Sequence, residues 1–249
     1  MMRLRNLWFL AVAAVVLSGC SSKWGWYIIS PDTETGRTNL AFLLRGFELT
    51  ISISVTSFVI AMVLGMLVTI PVVYKSRWLL AFNRIYVEVL RSVPNLVMII
   101  WVFYGLPVLL GIELNVFWAG VTALALGESA FLAEVYRAGI QSVGRGQEEA
   151  ADAIGLTFKD KMWFVVLPQA VRRILPPLGN QFVYMLKMSS LVSIIGLSDL
   201  TRRANELVTS EYRPLETYSF LILEYLVLIL IVSAGVRWLE RRLKADQRQ

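Results

Sequence analysis

The chain has 249 residues, of which 57% are hydrophobic and 17% charged, with a formal net charge of +6. Several apolar runs are long enough to cross a hydrocarbon core of ~30 Å, so the composition is that of an integral membrane protein with little room for a separate soluble domain. There is no histidine and a single cysteine, Cys20, which excludes an intramolecular disulfide and leaves no basis for a His- or Cys-rich metal site or for redox chemistry.

In chain order, Arg3 and Arg5 precede a short apolar run from Leu7 to Leu17 that ends in Leu17-Ser18-Gly19-Cys20. The run is short for a span of ~20 residues and has the layout of a lipoprotein signal; cleavage with lipidation at Cys20 competes with retention of residues 1–20 as a membrane anchor. Residues 21–44 then form an external segment, in which Trp24, Trp26 and Tyr27 suit the membrane interface. Hydropathy predicts five crossings, near Phe47–Val73, Val93–Leu110, Val116–Val135, Pro177–Leu197 and Tyr218–Val236. Together they give an all-α polytopic membrane bundle over residues 45–249, with the N-terminal segment as signal or extra helix.

Charge sets the orientation. Placing the N-terminus and residues 74–92, 136–173 and 237–249 inside puts 17 of the 24 Lys and Arg residues in the cytoplasm. The same placement explains the basic balance by the membrane, without nucleic acid. Between the first two spans Arg84, Glu88 and Arg91 recur at three or four residues before Pro94. That spacing predicts an amphipathic helix leading into a kinked span, and the plainer account is a membrane-surface helix whose arginines contact lipid headgroups.

The loop after the third span, 139–168, is polar between apolar segments. Gln147–Ile154 are good helix formers, Gly155 permits a turn, and Leu156–Leu167 can form a second helix ending before Pro168. Small Ala150, Ala151 and Gly155 allow another backbone to approach, while Glu148, Glu149, Asp152, Lys159 and Lys161 stay solvated; an ordinary solvated loop is the plainer account.

Inside the spans the informative groups are the ionisable ones, because they are costly in lipid. Glu128, Glu134, Lys187 and Glu224 qualify. Asn180, Tyr184 and Lys187 fall at steps of four and three on one helical face, extended by Ser190, and together with Glu134 they are the candidate substrate path. Two alternatives compete for Glu134: a buried pair with Lys187 that locks helices, or a local pair with Arg137. The small residues Ala119, Gly120, Ala123, Gly127, Ala130 and Ala133 predict close helix packing. An intramembrane enzyme using Glu128 and Glu134 is disfavoured, since six helical positions set them about 240° apart, and no histidine is present to act as base. No catalytic residue is assigned; a passive channel leaves the polar loop unexplained.

Glu149-Ala150-Ala151, Gly155 four residues after Ala151, and Leu167-Pro168 twelve residues further on resemble the EAA signature of ABC importer permeases, with Val165 where the family usually has Ile. Flanking segments, G-F-E-L-T-I-S-I-S from Gly46, R-S-V-P-N-L from Arg91, A-E-V-Y-R-A-G-I-Q-S-V from Ala133 and L-P-Q-A-V-R-R-I-L-P-P-L-G-N-Q from Leu167, narrow the resemblance to the polar amino acid group of the histidine, glutamine and glutamate–aspartate type. It covers about Gly46 to the C-terminus. Arg91-Ser92-Val93-Pro94 replaces the commoner R-G-T-P, and Met188-Ser189 also departs from the usual pair.

The resemblance implies a multi-pass permease of the bacterial inner membrane that imports polar amino acids, glutamate and aspartate among the candidates. It implies that Glu149, Ala150, Ala151, Gly155, Leu167 and Pro168 form the element docking into an ABC ATPase subunit. It further implies a periplasmic amino acid-binding protein and a second permease, identical or related. The sequence lacks a G-x-x-x-x-G-K-[ST] loop, so ATP and Mg are expected to be used by the partner and no cofactor is assigned to this chain.

Overall fold

The computed structural model describes residues 24–74 and 77–245; the signal or anchor expected at residues 1–20, with Cys20, lies outside them. No strand occurs among the described residues. After a 3-10 turn at Trp26–Ile29 the helices are α1 (Glu34–Leu44), α2 (Gly46–Tyr74), α3 (Arg77–Ser92), α4 (Asn95–Ile100), α5 (Leu106–Leu110), α6 (Val116–Gln141), α7 (Arg145–Ala153), the single turn α8 (Phe158–Asp160), α9 (Leu167–Met188), α10 (Leu200–Glu211) and α11 (Pro214–Ala245). Two π segments widen the helices, at Trp101–Gly105 between α4 and α5 and at Lys161–Val166 between α8 and α9.

Among the described residues three helices are long and apolar enough to span a membrane on their own: Glu34–Ile70, Val116–Gln141 and Pro214–Arg242. Two bent pairs complete a possible five, Leu80–Ser92 with Asn95–Leu110, bent by 98°, and Phe158–Ile195 with Leu200–Glu211, bent by 47°. The amphipathic helix and kink expected before Pro94 are both present. Pro94 sits in extended backbone as the N-cap of α4 and cannot donate to a continuing helix, so α3 stops at Ser92 and the chain turns.

The helix expected to end before Pro168 does not end there. Leu167-Pro168 open α9 in direct continuity with the π segment. A proline clashes with the carbonyl four residues back, and a widened turn relieves that clash; the Gln169 side chain donates to the Val165 carbonyl at 3.0 Å. The same arrangement, a π segment running into Leu-Pro, recurs at Leu106-Pro107.

α6 is the centre of the bundle. In lipid the hydrophobic effect does not drive helices together, so packing and interhelical hydrogen bonds must. The small side chains predicted for packing do this: Ala119, Gly120, Ala123, Gly127, Ala130 and Ala133 are all buried. A Cβ on Gly65 would stand 2.9 Å from the Ser129 carbonyl oxygen, and one on Gly120 would stand 2.6 Å from Val192. Thr69 donates to the Ala133 carbonyl at 3.2 Å, Tyr136 to the Met62 carbonyl at 3.3 Å, and Tyr86 shares a 2.7 Å bond with Ser129.

At the opposite end of the bundle from α7, residues 24–44 cap α10 and the start of α11. Ile28, Leu43, Ala204 and Leu207 form their own buried cluster. Gly25 N donates to Glu216 at 2.5 Å, Asn39 donates to the Ile28 carbonyl at 3.0 Å, and Arg203 lies over the Phe42 ring at 4.8 Å. Asp199 caps α10 by accepting from Arg202 N at 2.8 Å, and Thr50 accepts from Leu200 N at 3.2 Å.

Candidate functional site

The polar loop folds into one helix, one turn and a return to the bundle. α7 ends in a glycine-dependent turn: Gly155 has φ of +77°, Gly155 N donates to the Asp152 carbonyl at 3.0 Å, and Leu156 N donates to the Ala151 carbonyl at 3.1 Å. This pair of bonds is the Schellman stop, which needs a left-handed residue after the helix. Thr157 then starts α8 by accepting from Asp160 N at 3.3 Å.

Two ties hold the loop. Lys161 Nζ donates to both carboxylate oxygens of Asp152, at 2.8 and 3.0 Å, closing the returning strand of helix onto α7. Arg173 on α9 donates to the Ser142 carbonyl at the end of α6. Asp152 is exposed at this pair while the Lys161 side chain is 14% exposed, and a pair open to water on one side contributes on the order of 1 kcal/mol or less; its consequence is alignment. Asp152→Lys is therefore expected to leave the thermal unfolding of the purified chain nearly unmoved yet weaken any partner contact that depends on the loop's shape, and adding Lys161→Asp is expected to restore it. Binding of the purified partner subunit to both variants is the measurement.

The six loop positions divide. Glu149, Ala150 and Gly155 are exposed together at the end of the bundle, and Pro168 is exposed on α9. Ala151 is only 3% exposed and packs inward, and Leu167 is half-buried at the base. Beside the exposed group stand Ile154 at 77%, Trp163 at 68% and Phe164 at 69% exposure, with Phe158 also exposed. Sequence reading missed these four. The available signal was large apolar side chains in a loop rich in charge.

The five candidate path residues lie in two places. Asn180, Tyr184 and Lys187 share one face of α9, as their spacing predicted, and all three are exposed there; the Ser190 hydroxyl turns back to the Lys187 carbonyl at 2.7 Å. Glu134 is elsewhere, in a cleft of about 730 Å3 between α3 and α6. It pairs with Arg137 at 2.6 Å rather than with Lys187. Asn95, at the bend between α3 and α4, donates to the Tyr184 hydroxyl at 3.5 Å.

Glu128 and Glu134 do not converge. Glu128 is buried and hydrogen-bonded by Gln181, with Oε1 unpartnered. Glu224 is buried with neither carboxylate oxygen partnered, and nothing around it explains this. Exposed polar groups such as Lys187 at mid-bundle depth are costly against lipid, so this face of α9 is one that water or another protein covers.

Residues 50–245 match the family model described as "Binding-protein-dependent transport system inner membrane component". The chain is 35% identical over 207 residues to the arginine transport system permease protein ArtQ of Bacillus subtilis (strain 168), covering 83% of this chain and 94% of that protein. It is 40% identical over 206 residues to the probable glutamine ABC transporter permease protein GlnM of the same organism, covering 83% and 95%. A crystal structure of an amino acid ABC transporter with histidines superposes with a TM-score of 0.78 at 35% identity, covering 86% of this chain and 99% of that one.

Proposed function

The chain belongs to the family of inner membrane components of binding-protein-dependent transport systems, and on that basis we propose the part each of its surfaces takes in the import of polar amino acids. It is a multi-pass permease subunit of an amino acid ABC importer, the class to which its relatives belong. Residues 45–249 are the permease domain. The α7 end faces the cytoplasm, in line with the excess of Lys and Arg there, and the cap at residues 24–44 faces outward.

One observation carries the coupling role: an exposed helix, turn and apolar cluster at the end of the bundle, tied to α6 and α9 and left exposed by the described residues. Glu149, Ala150 and Gly155 present the contact surface to an ABC ATPase subunit, Ile154 and Phe158 add apolar area, and Ala151, Leu167 and Pro168 fix the surface to the spans. ATP and Mg are used by that subunit. Closure of the ATPase subunits pulls on α7, and the Lys161–Asp152 and Arg173–Ser142 ties pass the motion to α9 and α6.

A periplasmic amino acid-binding protein delivers the solute to the outer end. A second permease, identical or related, covers the α9 face bearing Asn180, Tyr184 and Lys187, so that these groups and Ser190 line a polar route between the two copies, while Glu134 serves the separate cleft between α3 and α6. ATP-dependent uptake of labelled glutamate, glutamine or arginine into vesicles holding the chain with its ATPase and binding protein is the test. Uptake that needs ATP supports the reading, while uptake that proceeds without ATP overturns coupling.

A further inference from the structure

Trp163 and Phe164 are the most exposed aromatic side chains of the loop, and the coupling surface makes no use of either. Both line an apolar pocket of about 510 Å3 that the π segment Lys161–Val166 forms with Ile70 on α2. Its volume is within the ~300–1,000 Å3 range of small-molecule sites.

Ile70 shows which medium the pocket opens to. On α2 the side chains of Val59, Val63, Met66 and Ile70 are all exposed, at steps of four, three and four that put them on one helical face. They belong to a span of mean hydropathy 2.4 that ends at Ile70, so this face meets hydrocarbon. The pocket therefore sits where a lipid-facing stripe runs out, at the depth of the headgroups, which is the setting an exposed tryptophan favours.

The charges around it are unequally committed. Lys161 is held by Asp152 at 2.8 and 3.0 Å, and Asp160 accepts from the Thr157 hydroxyl at 2.5 Å. Lys159 lines the pocket, is exposed, and has no ion pair among the described residues. One uncommitted ammonium group beside apolar walls at headgroup depth matches a phosphate joined to an acyl chain.

We infer that this pocket seats a phospholipid of the cytoplasmic leaflet, with an acyl chain against Ile70, Trp163 and Phe164 and the phosphate on Lys159. The choice of leaflet rests on the orientation proposed above. Anionic headgroups are preferred, because a zwitterionic one carries a cation of its own that opposes Lys159. Since the π segment joins α8 to α9, a chain packed on it lies between the coupling turn and the spans.

The test is native mass spectrometry of the purified permease–ATPase complex, delipidated and then titrated with phosphatidylglycerol or phosphatidylcholine, reading the tightest class of bound lipid. Phosphatidylglycerol is expected to bind about fivefold tighter, the effect of one lysine at an anionic membrane surface. Lys159→Gln is expected to erase that preference and leave phosphatidylcholine binding as it was. Trp163→Ser with Phe164→Ser is expected to weaken both lipids about tenfold and keep their ratio. If the double variant does not assemble, Lys159→Gln decides alone. No lipid retained by the parent, no headgroup preference, or a preference unmoved by Lys159→Gln overturns the inference. So does a double variant that binds lipid as the parent does but loses the ATPase subunit, which assigns the pocket to that subunit. ATP-driven uptake that fails while lipid binding follows the expected pattern counts against the transport reading and still supports the site.

Discussion

Gly155→Val is expected to leave the amount of folded chain in the membrane unchanged and to abolish ATP-driven uptake. Gly155 has φ of +77°, a conformation in which a β-branched residue is an outlier costing roughly 1–2 kcal/mol. A Cβ there meets nothing within 4 Å, so the substitution does not disturb the bundle. What it changes is the turn: the Schellman bonds from Gly155 and Leu156 back to α7 require the left-handed residue, and relaxing valine to negative φ swings Ile154 and the end of α7 out of place. Since the proposed coupling surface is built on that turn, binding of the ATPase subunit and uptake fall together. Gly155→Asn, whose side chain tolerates the left-handed region, is expected to keep most of both. Uptake assays and co-purification of the ATPase, with membrane content measured alongside, decide it; full uptake by Gly155→Val would remove the coupling role from this turn.

Gly65→Val is expected to do the reverse and remove the folded chain itself. A Cβ on Gly65 would stand 2.9 Å from the Ser129 carbonyl oxygen, 3.0 Å from Leu132 Cβ and 3.1 Å from Ala133 N. Two of those neighbours are backbone, so α2 and α6 must separate; no rotamer change clears the contact. Overpacking of this kind costs ~1–3 kcal/mol, and separation also breaks the Thr69–Ala133 and Tyr136–Met62 bonds, worth about 0.6 kcal/mol each in membrane proteins. Thermal unfolding in detergent reads the loss directly. Gly235→Val is the control, because a Cβ there meets nothing within 4 Å, and it is expected to melt as the parent does. Equal melting of the two variants would show that α2 and α6 do not pack through Gly65.

Much of this architecture is legible before any coordinates. Hydropathy marks the crossings because a span in lipid must satisfy all its backbone hydrogen bonds internally, which leaves a long apolar helix as the only solution for such a chain. The kink at Pro94, the packing role of the small residues on α6, the common face of Asn180, Tyr184 and Lys187, and the failure of Glu128 and Glu134 to converge all follow from periodicity and proline chemistry. The continuation of the helix through Pro168 does not, because the stop rule for proline assumes an α-helical turn before it, and the π segment at Lys161–Val166 relaxes that assumption.

By itself, then, the sequence determined the medium, the number of possible spans and the chemistry of the α7 turn, since hydropathy, helix period and glycine conformation are local properties that a single chain segment carries. Only the tertiary structure decided the pairings. Glu134 takes Arg137 and not Lys187, Ala151 turns inward while Glu149 and Ala150 face out, and Arg91 reaches Phe131 across the cleft. Each of these depends on the rotation of one helix against another. That rotation is set by where glycine and alanine let backbones approach, a sum over contacts distant in sequence that no local pattern contains.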